Sequence, residues 1–120
     1  MKATLALCLA FVGCQPHDDY IGTPNGFRIY HLDEGIDQDE AVAALDAGVE
    51  AWLVKWPSYR DSCLLIEFHI LDCATFVYGG SVVAGSIDLA SGVCNLAWIG
   101  PPALPAIDHE LNHLPYGHYH

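Results

Sequence analysis

The sequence predicts a small α+β domain, in which an N-terminal helix packs on a mainly antiparallel or mixed β-sheet and a second helix follows at the C-terminal end. Three observations indicate this fold. Apolar residues recur every three or four positions between residues 38 and 56, as on one face of a helix. Several later segments are short and apolar or alternate with polar residues, as strands do. The chain of 120 residues, 52% of them hydrophobic, can form one compact core.

The N-terminal residues resemble a bacterial secretion signal. An apolar stretch follows Met-Lys, is too short to span a membrane, and gives way abruptly to polar residues after position 14. Phe-Val-Gly-Cys, ending at Cys14, resembles a lipobox, which implies lipidation of Cys14; an ordinary cleaved signal is the alternative. We therefore expect a signal peptide over 1–13, a tether over 14–26 and a folded domain over 27–120. The protein would be exported and anchored to the bacterial membrane, facing the periplasm or the cell exterior.

The charge of the chain argues against some partners. Fifteen acidic residues stand against four Lys and Arg, which gives a formal net charge of −11. Nucleic acid and anionic lipid surfaces are therefore unfavourable partners on electrostatic grounds. We expect a monomer that has no nucleic-acid partner and is attached to the membrane only through its lipid.

The cysteines are consistent with export. Three remain beyond the N-terminal segment, Cys63, Cys73 and Cys94, and an oxidising compartment favours a disulfide between two of them. We expect the disulfide to include Cys94, because it lies in a separate segment and would close the longer loop. The sequence does not indicate whether Cys63 or Cys73 is its partner. Metal binding by these cysteines is less favoured, because they lack CxxC spacing.

The elements can be assigned in chain order. A turn at Asn25-Gly26 leads to a short strand over 27–31. Asp37 and Glu40 predict a capping box for a helix that Pro57 ends. The predicted core face of this helix consists of Val42, Leu45, Val49, Trp52, Leu53 and Trp56.

The remaining chain predicts the sheet and a final helix. After a turn over 58–62, strands are expected over 63–71, 75–78, 81–87 and 93–99. Trp98 is expected in the core. Pro105 can occupy the first turn of a last helix that ends at His113, because Pro115 disfavours its continuation. Its predicted core stripe consists of Ile107, Leu111 and Leu114.

The final helix carries the pattern HExxH. His109 and His113 are four residues apart, so both imidazoles lie on one helix face and can bind a single Zn²⁺. Glu110 can then accept a proton from the zinc-bound water as this water attacks a polarised carbonyl. Gly117 would allow the chain to reverse, so that His118 or His120 supplies a third protein ligand and leaves a position for water.

The last twelve residues, HELNHLPYGHYH, resemble the HExxHxxGxxH motif of metzincin-type zinc metallopeptidases, with one extra residue before the glycine. Small lipoprotein-like zincin domains of bacteria and phages are the nearest comparison. The resemblance implies that His109, His113 and His120 bind zinc, that Glu110 is the general base and that Gly117 forms the turn. It also implies a peptide or protein substrate that pairs, as an added strand, with the strand over 93–99, which lines the cleft.

The resemblance assigns further roles near the motif. Tyr116 and Tyr119 could donate hydrogen bonds to the oxyanion, although packing or surface positions are favoured for both. Asn112 and Asp108 are expected to face solvent or to support the ligands rather than to react. His17, His31 and His69 are expected on the surface or on a strand face.

The sequence therefore predicts a zinc metallopeptidase whose attacking water is activated by Glu110. One alternative is a non-enzymatic periplasmic lipoprotein that binds metal through the C-terminal histidines. A second alternative is a membrane-anchored interaction module in which HExxH is incidental.

Overall fold

The computed structural model describes residues 19–101 and 104–117, and in this part of the chain helices pack on a mixed β-sheet. The predicted α+β class is confirmed. The strands are β1 (Ile21–Gly22), β2 (Arg28–Leu32), β3 (Glu67–Asp72), β4 (Phe76–Tyr78), β5 (Ser81–Val83), β6 (Gly85–Asp88) and β7 (Val93–Trp98). The helices are α1 (Gln38–Lys55), a 3-10 turn (Pro57–Tyr59), α2 (Arg60–Leu64), α3 (Ile107–Leu111) and α4 (His113–Tyr116).

The larger sheet has the strand order β1-β2-β3-β7-β6, and β4 and β5 form a separate hairpin. Strands β2, β3 and β7 are parallel, whereas β1 and β6 run antiparallel to their neighbours. Strand β7 is therefore hydrogen-bonded on both sides. This corrects the expectation that the strand over 93–99 pairs with substrate; among the described strands, β6 forms that edge of the sheet. Trp98 lies in the core as expected.

Helix α1 confirms the prediction from periodicity. The Asp37 carboxylate accepts a hydrogen bond from the Glu40 N–H at 3.0 Å and so caps the helix. Val42 and Trp56 are only partly buried. The buried residues of the helix are Ala41, Ala44, Leu45, Val49, Trp52 and Leu53.

The predicted turn over 58–62 is wrong, because this segment is helical. Arg60 begins α2 and makes two hydrogen bonds with the Glu50 carboxylate, at 2.7 and 2.9 Å. This exposed ion pair joins α2 to α1, and Cys63 of α2 lies buried in the core. Strand β3 consequently begins at Glu67 instead of residue 63, although its alternation of buried and exposed residues is as expected.

The predicted strand over 81–87 is divided between two sheets. Val82 is paired with Val77 in the hairpin, whereas Ile87 is paired with Cys94 of β7. The change takes place at Ala84, whose carbonyl still accepts a hydrogen bond from the Ala97 N–H at 2.9 Å. The apolar pattern is continuous over this segment, so the sequence does not reveal that the partner strand changes.

Part of the predicted tether belongs to the fold. Ile21 in β1 is paired with Ile29 of β2. The Thr23 hydroxyl accepts a hydrogen bond from the Phe27 N–H at 3.0 Å, which closes the predicted turn. The predicted signal peptide and Cys14 lie outside the described residues. Among the described helices, none is long and apolar enough to cross a membrane.

The structure does not contain the expected disulfide: Cys63, Cys73 and Cys94 are all free thiols. The backbone of Cys73 forms an isolated antiparallel β-bridge with that of Trp98. Trp98 is four residues further along β7 than Cys94. Four residues of strand span roughly 13 Å, too far for a disulfide. Cys63 and Cys94 are instead completely buried and pack as small apolar side chains in the core.

The C-terminal helical segment is interrupted at Asn112 and not at Pro115. Pro115 is the third residue of α4, where the N–H that proline lacks would have had no partner within this short helix. Gly117 has the positive φ that the prediction of a turn requires, 68°, and the chain that would reverse after it lies outside the described residues. Ile107 and Leu111 are buried and Leu114 is partly buried, as the predicted core stripe requires.

Candidate metal centre

Two glycines allow α3 to lie close to both α1 and β6. A Cβ atom at Gly48 in α1 would be 3.1 Å from Ile107 Cγ2. A Cβ atom at Gly85 in β6 would be 2.8 Å from Ala106 Cβ and 2.9 Å from Glu110 Cγ. All three distances are shorter than ordinary van der Waals contact, so α3 lies where its neighbours have no side chains.

The predicted histidines and glutamate come together at the C-terminal end of α3 and the start of α4. One ligand atom from each of His109, Glu110 and His113 can be chosen so that all three lie within 4.8 Å of one another. The two imidazole rings are 5.3 Å apart, centroid to centroid, and nearly perpendicular. His109 is exposed, whereas Glu110 and His113 are 4% and 2% exposed. The cluster is thus open to solvent at His109, whereas Glu110 and His113 are buried.

The orientation of His113 is set by a hydrogen bond to the residue that follows α4. Its Nδ1 lies 2.7 Å from the Gly117 carbonyl oxygen. Because a carbonyl can only accept a hydrogen bond, Nδ1 carries the proton and Nε2 of the neutral ring keeps its lone pair. Nε2 lies 3.9 Å from Glu110 Oε1. A backbone carbonyl behind one imidazole nitrogen is a common way of fixing a metal-binding histidine.

Glu110 lies in an apolar setting. Burial raises the pKa of its carboxyl above the ordinary value, and the neighbouring His113 partly offsets this effect. One cavity of about 380 Å³ beside it is lined by Val83, Ala84, Gly85, Pro105, Ala106, His109 and Glu110. A second cavity is lined by Tyr78, Val83, Gly85, Ser86, Ile87, Glu110 and His113. Glu110 therefore borders two cavities between α3 and the sheet edge.

The donor set fits zinc. Imidazole is a preferred ligand of Zn²⁺, and ligands at about 2.0–2.1 Å from the metal lie roughly 3–4 Å from one another. The observed limit of 4.8 Å exceeds that separation by about 1 Å. His118, Tyr119 and His120 lie outside the described residues, so the third protein ligand and the role of Tyr119 stay predictions.

Asn112 and Tyr116, two residues beside the motif, make contacts with Trp52 and Trp56. The Asn112 amide oxygen accepts a hydrogen bond from Trp52 Nε1 at 2.7 Å, which ties the junction between α3 and α4 to α1. Tyr116 packs edge-on against Trp56, with ring centroids 5.5 Å apart. Asn112 is thus engaged in a hydrogen bond to α1, and the Tyr116 ring contacts Trp56, the C-cap residue of α1. Asp108 is exposed, as expected.

Comparison with models of known protein families, with curated proteins and with solved structures finds no match for this chain. The chemical interpretation of the cluster therefore depends on its own geometry.

Sequence reasoning missed Tyr78, which lines a cavity together with Glu110 and His113. No motif links Tyr78 to residues more than thirty positions away; the only local signal is the hairpin turn at Gly79-Gly80, which fixes the register of β4 and β5.

His31 and His69 lie away from the candidate metal centre. They are register partners on β2 and β3, with ring centroids 5.8 Å apart. Each Nε2 lies 2.7 Å from a carboxylate oxygen, that of Asp33 for His31 and that of Glu67 for His69. The prediction that both are strand-face histidines is confirmed, and His17 lies outside the described residues.

Proposed function

We propose that this protein is a zinc-dependent metallopeptidase that hydrolyses peptide bonds, with Glu110 as the general base. The observation that supports this most directly is the convergence of His109, Glu110 and His113 at the mouth of two cavities. His113 presents Nε2 rather than Nδ1 to this cluster. Two histidines with an adjacent buried carboxylate form an arrangement suited to a hydrolytic metal site.

Zinc, when bound, would polarise the substrate carbonyl and lower the pKa of a coordinated water molecule. Glu110 accepts a proton from the attacking water and returns it to the leaving amine. Burial of Glu110 makes this carboxylate a stronger base than an exposed glutamate. The Gly117 carbonyl keeps His113 in the tautomer that can bind metal. We propose His120 as the third protein ligand, with His118 as the alternative.

The surroundings of the cluster favour an extended peptide as substrate. Strand β6 is the edge of the sheet beside α3, and Gly85 and Ser86 on it line the cavities at Glu110. Backbone pairing with an exposed edge is a common way of binding an extended chain. The larger cavity is lined mainly by small apolar residues, which suits an apolar side chain of the substrate.

The proposal includes the exported location that the N-terminal sequence predicts. Lipidation at Cys14 would hold a monomeric peptidase at the membrane surface, where peptide or protein substrates reach it. The formal charge of −11 supports partners other than nucleic acid.

The decisive substitution is Glu110→Gln. The substitution keeps the size of the side chain and leaves both candidate ligands, His109 and His113, in place. It removes the carboxylate that is proposed as the base. We expect stoichiometric zinc by elemental analysis and a fall in peptidase kcat of about 10²- to 10⁴-fold on a fluorogenic peptide library.

Asp108→Asn provides the matched control, because it neutralises an exposed acid two residues earlier on the same helix. This variant should keep both zinc and activity. A wild-type rate in Glu110→Gln would contradict the peptidase mechanism. Retained zinc without activity in the wild-type protein would instead favour a metal-binding lipoprotein, an alternative that exposed His109 also supports.

A further inference from the structure

A second pair of histidines lies on the face of the larger sheet that is opposite the core. His31 of β2 and His69 of β3 are register partners, and their ring centroids are 5.8 Å apart. Phe68 and Ile70, on either side of His69, are completely buried, and side chains alternate along a strand. The two imidazoles therefore project from neighbouring strands toward solvent, with side chains that are 49% and 27% exposed.

An irregularity in β2 brings His31 to this position. Ile29 is paired with Phe68. Regular pairing would therefore place the next residue, Tyr30, opposite His69. The register shifts between Ile29 and His31, and His31 is the partner of His69 instead. A β-bulge commonly redirects a side chain in this way, and here the extra residue of β2 puts two imidazoles side by side.

A carboxylate fixes each of the two rings. His31 Nε2 lies 2.7 Å from Asp33 Oδ1. His69 Nε2 lies 2.7 Å from Glu67 Oε2. Because a charged carboxylate can only accept a hydrogen bond, Nε2 carries the proton and Nδ1 of the neutral ring keeps its lone pair. A carboxylate on the far nitrogen is a common support of a metal-binding histidine, since it holds the ring and makes the other nitrogen a better ligand.

We propose that His31 and His69 bind one divalent transition-metal ion through their Nδ1 atoms, at a site separate from the candidate metal centre. Imidazole nitrogens bind Zn²⁺ at about 2.0–2.1 Å, so two rings that share an ion have centroids roughly 5–6 Å apart. The observed 5.8 Å lies in this range, as does the 5.3 Å between the rings of His109 and His113. Water completes the coordination, because both side chains are open to solvent.

Charge and ligand type define the ion. The carboxylates of Asp33 and Glu67 lie beside neutral imidazoles, and the chain has a formal net charge of −11, so a cation is attracted. Imidazole suits Zn²⁺, Cu²⁺ and Ni²⁺, whereas Mg²⁺ prefers oxygen ligands. The site should therefore select Zn²⁺ over Mg²⁺. It shares no residue with the candidate metal centre, so this inference does not depend on the proposed peptidase function.

The test titrates the whole protein, with isotope-labelled histidine nitrogens, with ZnCl₂ and follows the imidazole signals by NMR. We expect Nδ1 of His31 and of His69 to shift as a metal-bound nitrogen does, while each Nε2 keeps its proton. His31→Asn and His69→Asn should each abolish Zn²⁺ binding at this site and leave the signals of His109 and His113 unchanged. Urea unfolding without metal checks that both variants fold.

Glu67→Gln tests the supporting carboxylate, because it keeps an acceptor for His69 but removes the charge. We expect Zn²⁺ to bind this variant about 10- to 100-fold more weakly in calorimetry. Glu34→Gln is the matched control, because it removes the same charge from an exposed turn residue, and it should leave the affinity unchanged.

Three results would overturn the proposal. One is an equal loss of affinity in Glu67→Gln and Glu34→Gln, which would indicate general attraction to an acidic surface. The others are Mg²⁺ binding as tight as that of Zn²⁺ and a zinc-induced shift at only one of the two rings. Absence of zinc at His109 and His113 would instead contradict the proposed function and leave the site at His31 and His69 intact.

Discussion

At Gly85 the helix that carries the candidate ligands comes so close to the edge strand that a side chain does not fit between them. The hydrogen of Gly85 faces Ala106 and Glu110, and a methyl group there would lie within 3.0 Å of both. The position of Glu110, the proposed general base, thus depends on a residue that has no functional group. Glu110 is buried because α3 can reach the sheet at this point.

We expect Gly85→Ala to destabilise the protein by about 1–3 kcal/mol, as overpacking of a core contact commonly does. The free energy of unfolding in urea gives the measurement. The same variant should lose the proposed peptidase activity beyond its loss of stability, because Glu110 must move away from the new methyl group.

Gly22→Ala is the control for this substitution. Its Cβ atom would meet only Tyr20 Cε1, at 3.9 Å, which is ordinary contact. Equal stability of Gly85→Ala and the wild-type protein would show that α3 can shift outward at little cost.

Between elements, α1 and the C-terminal helices are joined at two points. Gly48 lets Ile107 pack directly against α1. One turn further along α1, the Trp52 indole N–H donates to Asn112, the residue at which α3 ends and α4 begins. This hydrogen bond fixes the helix interruption between the two candidate histidine ligands.

Asn112→Ala should therefore cost about 1–3 kcal/mol, because it leaves the Trp52 N–H without this acceptor in the core. Thermal or urea unfolding measures the loss. A double-mutant cycle with Trp52→Phe isolates the pair: if the two substitutions add with no coupling energy, the hydrogen bond does not stabilise the fold.

Elements whose apolar residues recur at a regular spacing could be predicted from the sequence. Contacts between elements could not. Helix α1 and the alternation in β3 follow from spacing alone. The helical segment does not end before Pro115 as predicted, because a new helical turn begins at His113, which local propensity does not reveal. His109, Glu110 and His113 were predictable because one helical repeat brings them together. Tyr78 was not, because its approach depends on the change of sheet at Ala84.

Across the whole molecule, the acidic residue Asp33 ties adjacent parallel strands together. Its carboxylate lies 2.7 Å from His31 Nε2 and accepts a hydrogen bond from the Asp72 N–H at 2.8 Å. The hydrogen bond with His31, followed by that from Asp72, holds the pKa of Asp33 below its ordinary value. Residue 72 is the last of β3, so Asp33 joins the ends of β2 and β3.

Because the pKa is lower in the folded state, the charged Asp33 stabilises the fold above the unfolded pKa of about 3.9, and this contribution is lost as the pH falls through the lower folded pKa. We expect Asp33→Asn to be less stable than the wild-type protein at pH 7, with the difference shrinking below about pH 4. Urea unfolding at several pH values measures this.

Glu34→Gln, which changes the exposed neighbouring acid, should show a smaller difference at pH 7. A stability gap between Asp33→Asn and the wild-type protein that stays constant down to pH 2 would exclude this linkage.

The two buried thiols allow the opening of the core to be followed chemically. Burial raises the pKa of Cys63 to about 12 and moves that of Cys94 in the same direction, so neither forms the thiolate that alkylating reagents attack. Cys73 is partly exposed and is available without unfolding. The rate at which iodoacetamide labels Cys63 and Cys94 therefore reports how often the native core opens, with Cys73 as an internal reference for reagent reactivity.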